Sequence, residues 1–205
     1  MFVPSHYVAA EARSIIRDYP LATLVTSSGE GLFSTASPVF FETLAEGEMT
    51  LVGHIARRNP QAEAMRSGQE ALLVFMGPDA YVSGSWYAEK PQVPTWHYVS
   101  AQVRGTLTPI NDKAGNLAVL RLTAERLEGD GGDGWRMEDA PEGRVEALVP
   151  HIRSFRIRAA SIEGIERLGQ MHPHGDRLRV IAGLTRRAKP DDLAIAQMMA
   201  GRDGR

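Results

Sequence analysis

The chain has 205 residues, 43% of them apolar and 23% charged, with a formal net charge of −2. That length suits one sizeable core, or one domain with a small appendage. No apolar run approaches the ~20 residues of a membrane span, and the charge balance lacks the strongly basic character of a general nucleic-acid binder.

The absence of cysteine excludes a disulfide framework, a thiolate metal site, an iron–sulfur cluster and a cysteine nucleophile. The first residues, MFVPSHYVAAEARS, lack the basic-then-apolar pattern of a secretory signal, so a cytoplasmic address is expected. In chain order, Ala9 to Asp18 set Ile15 and Ile16 against Glu11, Arg13, Arg17 and Asp18, which predicts a short amphipathic helix ending before Pro20. LATLVTS reads as a strand. The turn Ser27 to Gly31 joins it to LFSTASPVFFET as a hairpin, with a kink or edge position at Pro38.

After the polar AEGE, a third strand runs from Met49 to Ile55 and leads directly into ARRNPQAEAMRSG. There Asn59 is a good N-cap, Pro60 suits the first helical position and Gly68 a C-terminal stop. A helix start presents unpaired N–H groups and a partial positive charge, and Arg57 and Arg58 stand just before it. Because guanidinium pairs anions bidentately, the junction suits a dianionic phosphate. The plainer reading is a capped surface helix with two exposed arginines. No glycine-rich nucleotide loop displaces either reading.

The strand ALLVFMG, Ala71 to Gly77, precedes a stretch from Tyr81 to Tyr98 that holds two of the three tryptophans and three of the five tyrosines. It reads as a long loop, kept non-helical by Pro91 and Pro94, that runs into the strand WHYVSAQVRGTL. Either Trp86, Tyr87 and Trp96 fill a core or a subunit interface, or they rim a pocket for a flat heteroaromatic ligand, with Ser83, Ser85, Thr95 and His97 as its polar groups.

A peripheral helix is predicted from Asn111 or Asp112, with Leu117, Leu120, Ala124 and Leu127 on one face and Gly129 as its stop. In the glycine-rich loop that follows, Asp130 and Asp133 lack the spacing and terminal glutamate of a calcium loop. Pro141 to Val149 can form a helix. HIRSFRIRAASIEGIERL is a long strand in which Phe155, Ile157 and Ala159 face away from Ser154, Arg156 and Arg158. His172 and His174 lack a third metal ligand at recognisable spacing, and Arg186, Arg187 and Lys189 read as solvated charge. MHPHGDRLRVIAGL and PDDLAIAQMMAG look like a turn with a helix and a terminal helix. The sum is a mostly β protein with peripheral helices, an antiparallel barrel whose interior its own side chains fill. A ligand is then expected outside the barrel or at a dimer seam.

The blocks MFVPSHY, PLATLVTS, GHIARRNPQ, GPDAYVSGSWY and VPTWHY together resemble the PaiB-like FMN-binding negative transcriptional regulator family, over residues 1–185. The resemblance implies an FMN-binding split β-barrel domain at 1–185, a C-terminal helical tail at 186–205, and a homodimer with FMN at the subunit interface. It places His54, Arg57, Arg58 and Asn59 near the ribityl phosphate and lays the strand of Thr35 and Ser37 along the flavin ring. Thr95, Trp96 and Tyr98 look like the ring-side and interface group, and Gln102 a weaker candidate from the second subunit. The family commonly carries asparagine where His97 stands, and Lys-Leu-Ser-Gln where this chain has Arg167, Leu168, Gly169 and Gln170. Arg167 and Gln170 are therefore phosphate or ribityl candidates beside a lost serine hydroxyl.

Two functions follow from that resemblance. One is negative transcriptional regulation, through DNA or a regulatory protein partner, although the sequence has no recognisable helix-turn-helix with a basic face. The other is a flavin-dependent oxidoreductase, an FMN reductase or an oxidase of a small molecule, with His97, Tyr98 and Tyr81 as proton-donor candidates. No hydrolytic triad or phosphoryl-transfer motif can be assembled from spacing.

Overall fold

The computed structural model describes residues 1–42, 49–88, 93–129 and 134–203. Its strands are β1 (Leu21–Ser28), β2 (Gly31–Glu42), β3 (Thr50–Ala56), β4 (Gln69–Val82), β5 (Thr95–Ile110) and β6 (Ile152–Arg167). They close into a barrel in the order β1-β2-β3-β6-β5-β4. The helices are α1 (Ala12–Asp18), α2 (Pro60–Ala64), α3 (Lys113–Glu128), α4 (Arg144–Leu148), α5 (His174–Arg187) and α6 (Asp192–Asp203).

Two compact units divide the chain. The barrel unit comprises Ile16–Phe75 and Gln102–Ile162; the terminal unit comprises Met1–Ile15, Met76–Ala101 and Glu163–Arg205. This division differs from the one expected at 185/186, which falls inside α5. In the terminal unit α5 and α6 share a core of Val180, Leu184, Ile195 and Met199, all buried, so apolar contact couples the last helix to the one before it.

In the barrel unit the β1–β2 ladder runs from Leu21↔Pro38 to Ser28↔Gly31, so Gly29 and Glu30 form a two-residue turn. Pro38 is the last β2 residue paired with β1, and Val39 opposite Gly53 is the first paired with β3. The residue without an N–H thus stands where the strand changes partners. Gly53 lets that corner close: a Cβ there would lie 2.7 Å from Phe155 Cζ and 2.8 Å from the Pro38 carbonyl oxygen. Leu24, Leu51, Leu73, Leu107, Phe155 and Ile157 are wholly buried.

Three expectations need correction. β4 does not stop at Gly77. Burial alternates through Ala71, Leu73 and Phe75, slips by one residue, and resumes at Pro78, Ala80 and Val82. The turn-like Gly77-Pro78-Asp79 therefore shifts the phase of the strand without ending it, and Tyr81 is a strand residue. α2 ends at Ala64, well before Gly68, because Met65 is already extended and buried. Gly68, at φ +84, turns the chain back so that its N–H donates to the Leu107 carbonyl at 3.0 Å.

The third correction concerns α3. Its buried residues are Asn116 and Val119, whereas Leu127 is 59% exposed. Asn116 turns inward because its amide satisfies three main-chain groups: Nδ2 donates to the carbonyls of Ile110 (3.2 Å) and Asp112 (2.7 Å), and Oδ1 accepts from the Ser154 N–H (2.9 Å). The calcium-like aspartates Asp130 and Asp133, the AEGE turn and Pro91 lie outside the described residues.

Gly53→Ala is expected to lower stability by about 1–3 kcal/mol through overpacking at the corner. A denaturant midpoint equal to that of the parent would show that the corner yields.

Candidate functional site

Polar side chains tie α2 into the barrel unit. Asn59 Oδ1 accepts from the Gln61 N–H at 2.9 Å, capping the helix as its sequence predicts, and Asn59 Nδ2 donates to Thr35 Oγ1 at 2.8 Å. Gln61 is fully buried, and its Nε2 donates to the Leu24 carbonyl (3.1 Å) and to Thr26 Oγ1 (3.0 Å). Both ends of the Asn59 amide thus serve the fold. Ser37 is wholly buried and donates to the His54 carbonyl at 2.8 Å, so those two candidates meet through the main chain.

The His54 ring projects from the other face of β3 than Gly53 and stands across the ladder from Ser154. Its Nδ1 has no hydrogen-bond partner among the described residues, nor does Ser154 Oγ. Burial lowers the His54 pKa.

The groups left to meet an anion here are guanidiniums. Arg57 is anchored by its N–H to the His151 carbonyl (2.8 Å) and by its Nε to the Ile152 carbonyl (3.1 Å). Arg58 is exposed and makes no hydrogen bond or ion pair among the described residues. Arg153, opposite Ile55 in the β3–β6 ladder, donates to the Ala62 carbonyl and to Asn111 Oδ1 (2.8 and 3.1 Å). Its pKa is lowered first by burial and then by the charges of Arg57 and Arg66.

Among the described residues, no carboxylate pairs with Arg57, Arg58, Arg66 or Arg153. Uncompensated positive charge with spare N–H donors is what a phosphate dianion requires. Neither Arg66 nor Arg153 carries a local signal in the sequence. Arg153 lies 91 residues from Ala62 in the chain, and only the β3–β6 register brings it to α2.

The remaining candidates, apart from Gln102, belong to the terminal unit. Thr95 Oγ1 accepts from Arg167 Nη2 at 2.9 Å, and the Arg167 guanidinium lies 5.7 Å from the Tyr7 ring centroid. Trp96 is 48% exposed; its Nε1 donates to Asp79 Oδ1 at 2.8 Å, and its ring meets Tyr81 edge-on at 6.0 Å. Tyr98 is half-buried on β5. Gln170 is engaged locally, accepting from the Leu168 N–H (2.8 Å) and donating to the Glu166 carbonyl (2.5 Å). Gln102 lies in the barrel unit, half-buried.

The aromatic stretch is partly buried and partly exposed. Tyr87 is buried and packs 4.7 Å from the His172 ring, whereas Tyr81 and Trp96 are exposed. His172 is thus a packing residue, and His174 opens α5.

His97 is 2% exposed, and its Nδ1 has no hydrogen-bond partner among the described residues. Burial first, then the charges of Arg167, His172 and Arg177, lower its pKa to about 4. Its cationic form is therefore absent at neutral pH, which weakens its candidacy as a proton donor. The ring packs on Gly169, where a Cβ would lie 3.0 Å from His97 Cε1 and where φ is +74. His97 and Gly169, the two positions where the resemblance implies asparagine and serine, adjoin, and the imidazole occupies space that a side chain at 169 would need.

Comparison with known proteins gives the family and the fold. The model of a family described as "Putative FMN-binding domain" matches residues 1–161. "Protease synthase and sporulation protein PAI 2" of Bacillus subtilis is 25% identical over 202 residues, covering 97% of this chain and 96% of the relative. Among solved structures, the flavocytochrome Anf3 from Azotobacter vinelandii superposes with a TM-score of 0.59 at 17% identity, over 84% of this chain and 73% of its own. The FAD and heme binding protein from Mycobacterium smegmatis does so at 0.56 and 16%, over 83% and 77%. Those two likenesses establish the split-barrel fold.

Two outcomes are expected. His97 stays neutral in the folded protein down to about pH 4, whereas an unfolded chain protonates it near 6.5. Its contribution to stability is therefore full above pH 6.5 and falls by about 1.4 kcal/mol per pH unit toward pH 4. His97→Gln should flatten that limb in denaturant titrations, and an unaltered pH profile would remove the assignment. Gly169→Ser should cost about 1–2 kcal/mol for its left-handed backbone, with a further steric part that His97→Asn relieves in a double-mutant cycle.

Proposed function

Because the chain belongs to the FMN-binding domain family, with FMN as its cofactor, we propose that it is a negative transcriptional regulator of the PaiB-like type. It is a cytoplasmic homodimer that acts on DNA or through a regulatory protein partner. The observation that carries the site assignment is the guanidinium set around α2, whose positive charge no described carboxylate offsets.

Arg57 and Arg58 hold the phosphate, and Arg153 adds to the field they act in. Asn59 and Gln61, through Thr35, Thr26 and Leu24, fix the turn that carries the two arginines. The strand of Thr35 and Ser37 lies along the flavin, and His54 holds Ser37 through its carbonyl. Thr95, held by Arg167, and Trp96 with Tyr98 form the ring-side group; Gln102 and Gln170 are lesser contacts. Bound FMN supplies reversible one- and two-electron chemistry, and the protein supplies binding and orientation. The name of the Bacillus subtilis relative, which concerns protease synthesis and sporulation, supports regulation as the role.

The purified protein should show flavin absorption bands that are released on denaturation, together with a salt-sensitive, sequence-selective DNA footprint. NAD(P)H oxidation without a footprint would favour the oxidoreductase reading instead. Alanine at both Arg57 and Arg58 should weaken FMN binding by about 2–4 kcal/mol in an apoprotein titration. Unchanged affinity would move the phosphate elsewhere.

A further inference from the structure

Arg187 lies in the terminal unit, outside every segment assigned above to FMN. Its guanidinium carbon sits 5.1 Å from the Trp86 ring centroid and 6.0 Å from that of Tyr81. The group is fixed from behind: Nε donates to Asp192 Oδ2 at 2.8 Å and Nη2 to Asp192 Oδ1 at 2.5 Å. Asp192 is itself 2% exposed and accepts from the Lys189 N–H at 2.9 Å. A bidentate carboxylate holds the guanidinium plane in one orientation, and a guanidinium over an aromatic face is attracted by the ring quadrupole.

The rings it touches are held closely by other contacts. Trp86 is pressed against α5 at Gly183, where a Cβ would come within 2.5–2.7 Å of three indole carbons. The Ala88 N–H donates to Asp176 Oδ1 of the same helix at 2.8 Å. Tyr81 in turn meets Trp96 edge-on, and Trp96 is pinned by Asp79. A continuous chain of contacts therefore runs from Asp192 through Arg187 and Tyr81 to Trp96.

We propose that Arg187 is a positioning residue: oriented by Asp192, it holds Trp86 and Tyr81 and, through Tyr81, sets the attitude of the exposed Trp96 ring that receives the planar part of the cofactor. The last clause rests on the ring-side assignment made under the proposed function; the hold on the aromatic rings does not. Serving as solvated charge, the reading its sequence neighbourhood suggests, would require Arg187 to face water. Its side chain is only 21% exposed and bonded at both nitrogens that face Asp192.

The test compares Arg187→Ala, Arg187→Lys and Asp192→Asn in the full-length protein. Val180, Leu184, Ile195 and Met199 remain to hold α5 against α6, and Arg187→Lys keeps the charge while losing the planar fork. In apoprotein, Arg187→Ala should reduce the near-ultraviolet circular dichroism of the indoles and raise acrylamide quenching of their fluorescence. Arg187→Lys should fall between the variant and the parent. With flavin, Arg187→Ala should weaken FMN and riboflavin alike, by about tenfold, leaving their affinity ratio unchanged. Replacing Arg57 and Arg58 should instead lower the FMN-to-riboflavin ratio.

An unchanged near-ultraviolet spectrum in Arg187→Ala overturns the proposal. So does unchanged riboflavin affinity in a protein that binds FMN. If the parent takes up no flavin, the ring-side role falls with the reading it rests on, and the apoprotein spectra still decide whether Arg187 holds the rings.

Discussion

The hydrogen bonding of two side-chain amides to the barrel, Gln61 buried and Asn59 half-buried, is the constraint on which the rest depends. Asn59 and Gln61 take polar atoms out of water, and each hydrogen bond they make to Thr35, Leu24 and Thr26 offsets a desolvation cost that would otherwise unseat α2. A five-residue helix has no stability of its own. It persists because Ala62 and Met65 are buried beneath it and those amides anchor its start. The anchoring places Arg57 and Arg58 at the lip of the unit, with Arg153 delivered beside them by β6.

The same economy of polar contact recurs on α3. Asn116, and not the leucine face, decides which side of the helix turns inward, because its amide bonds three main-chain groups at once. In both helices a buried polar residue sets the orientation and apolar neighbours supply the bulk of the contact area.

The terminal unit is organised around aromatic rings and arginines. Arg167 lies over Tyr7 and bonds Thr95, while Arg187 lies over Trp86 and Tyr81 and bonds Asp192. Pairing each planar cation with both a ring and an oxygen acceptor fixes orientation as well as position. His97 sits in the field of Arg167, His172 and Arg177, where low dielectric and like charge keep it neutral.

The sequence by itself determined the presence and order of the strands, a hairpin turn within Ser27 to Gly31, the Asn59 cap and the order of the helices. Each of these depends on local propensity, period or turn chemistry, which a single chain displays directly. The adjacency of Arg57 and Arg58 to the Asn59 cap, on which the proposed phosphate contact rests, is legible for the same reason. The one-residue slip in β4 was not legible, because Gly77-Pro78 signals a turn and a strand bulge alike. Nor were the inward face of α3, the meeting of Arg153 with α2, the contact of His97 with Gly169, or the seat of Arg187 on two rings. Only the tertiary structure decided these, because each depends on register or packing between segments far apart in sequence, where a polar residue's environment is set by its partners and not by its neighbours in the chain.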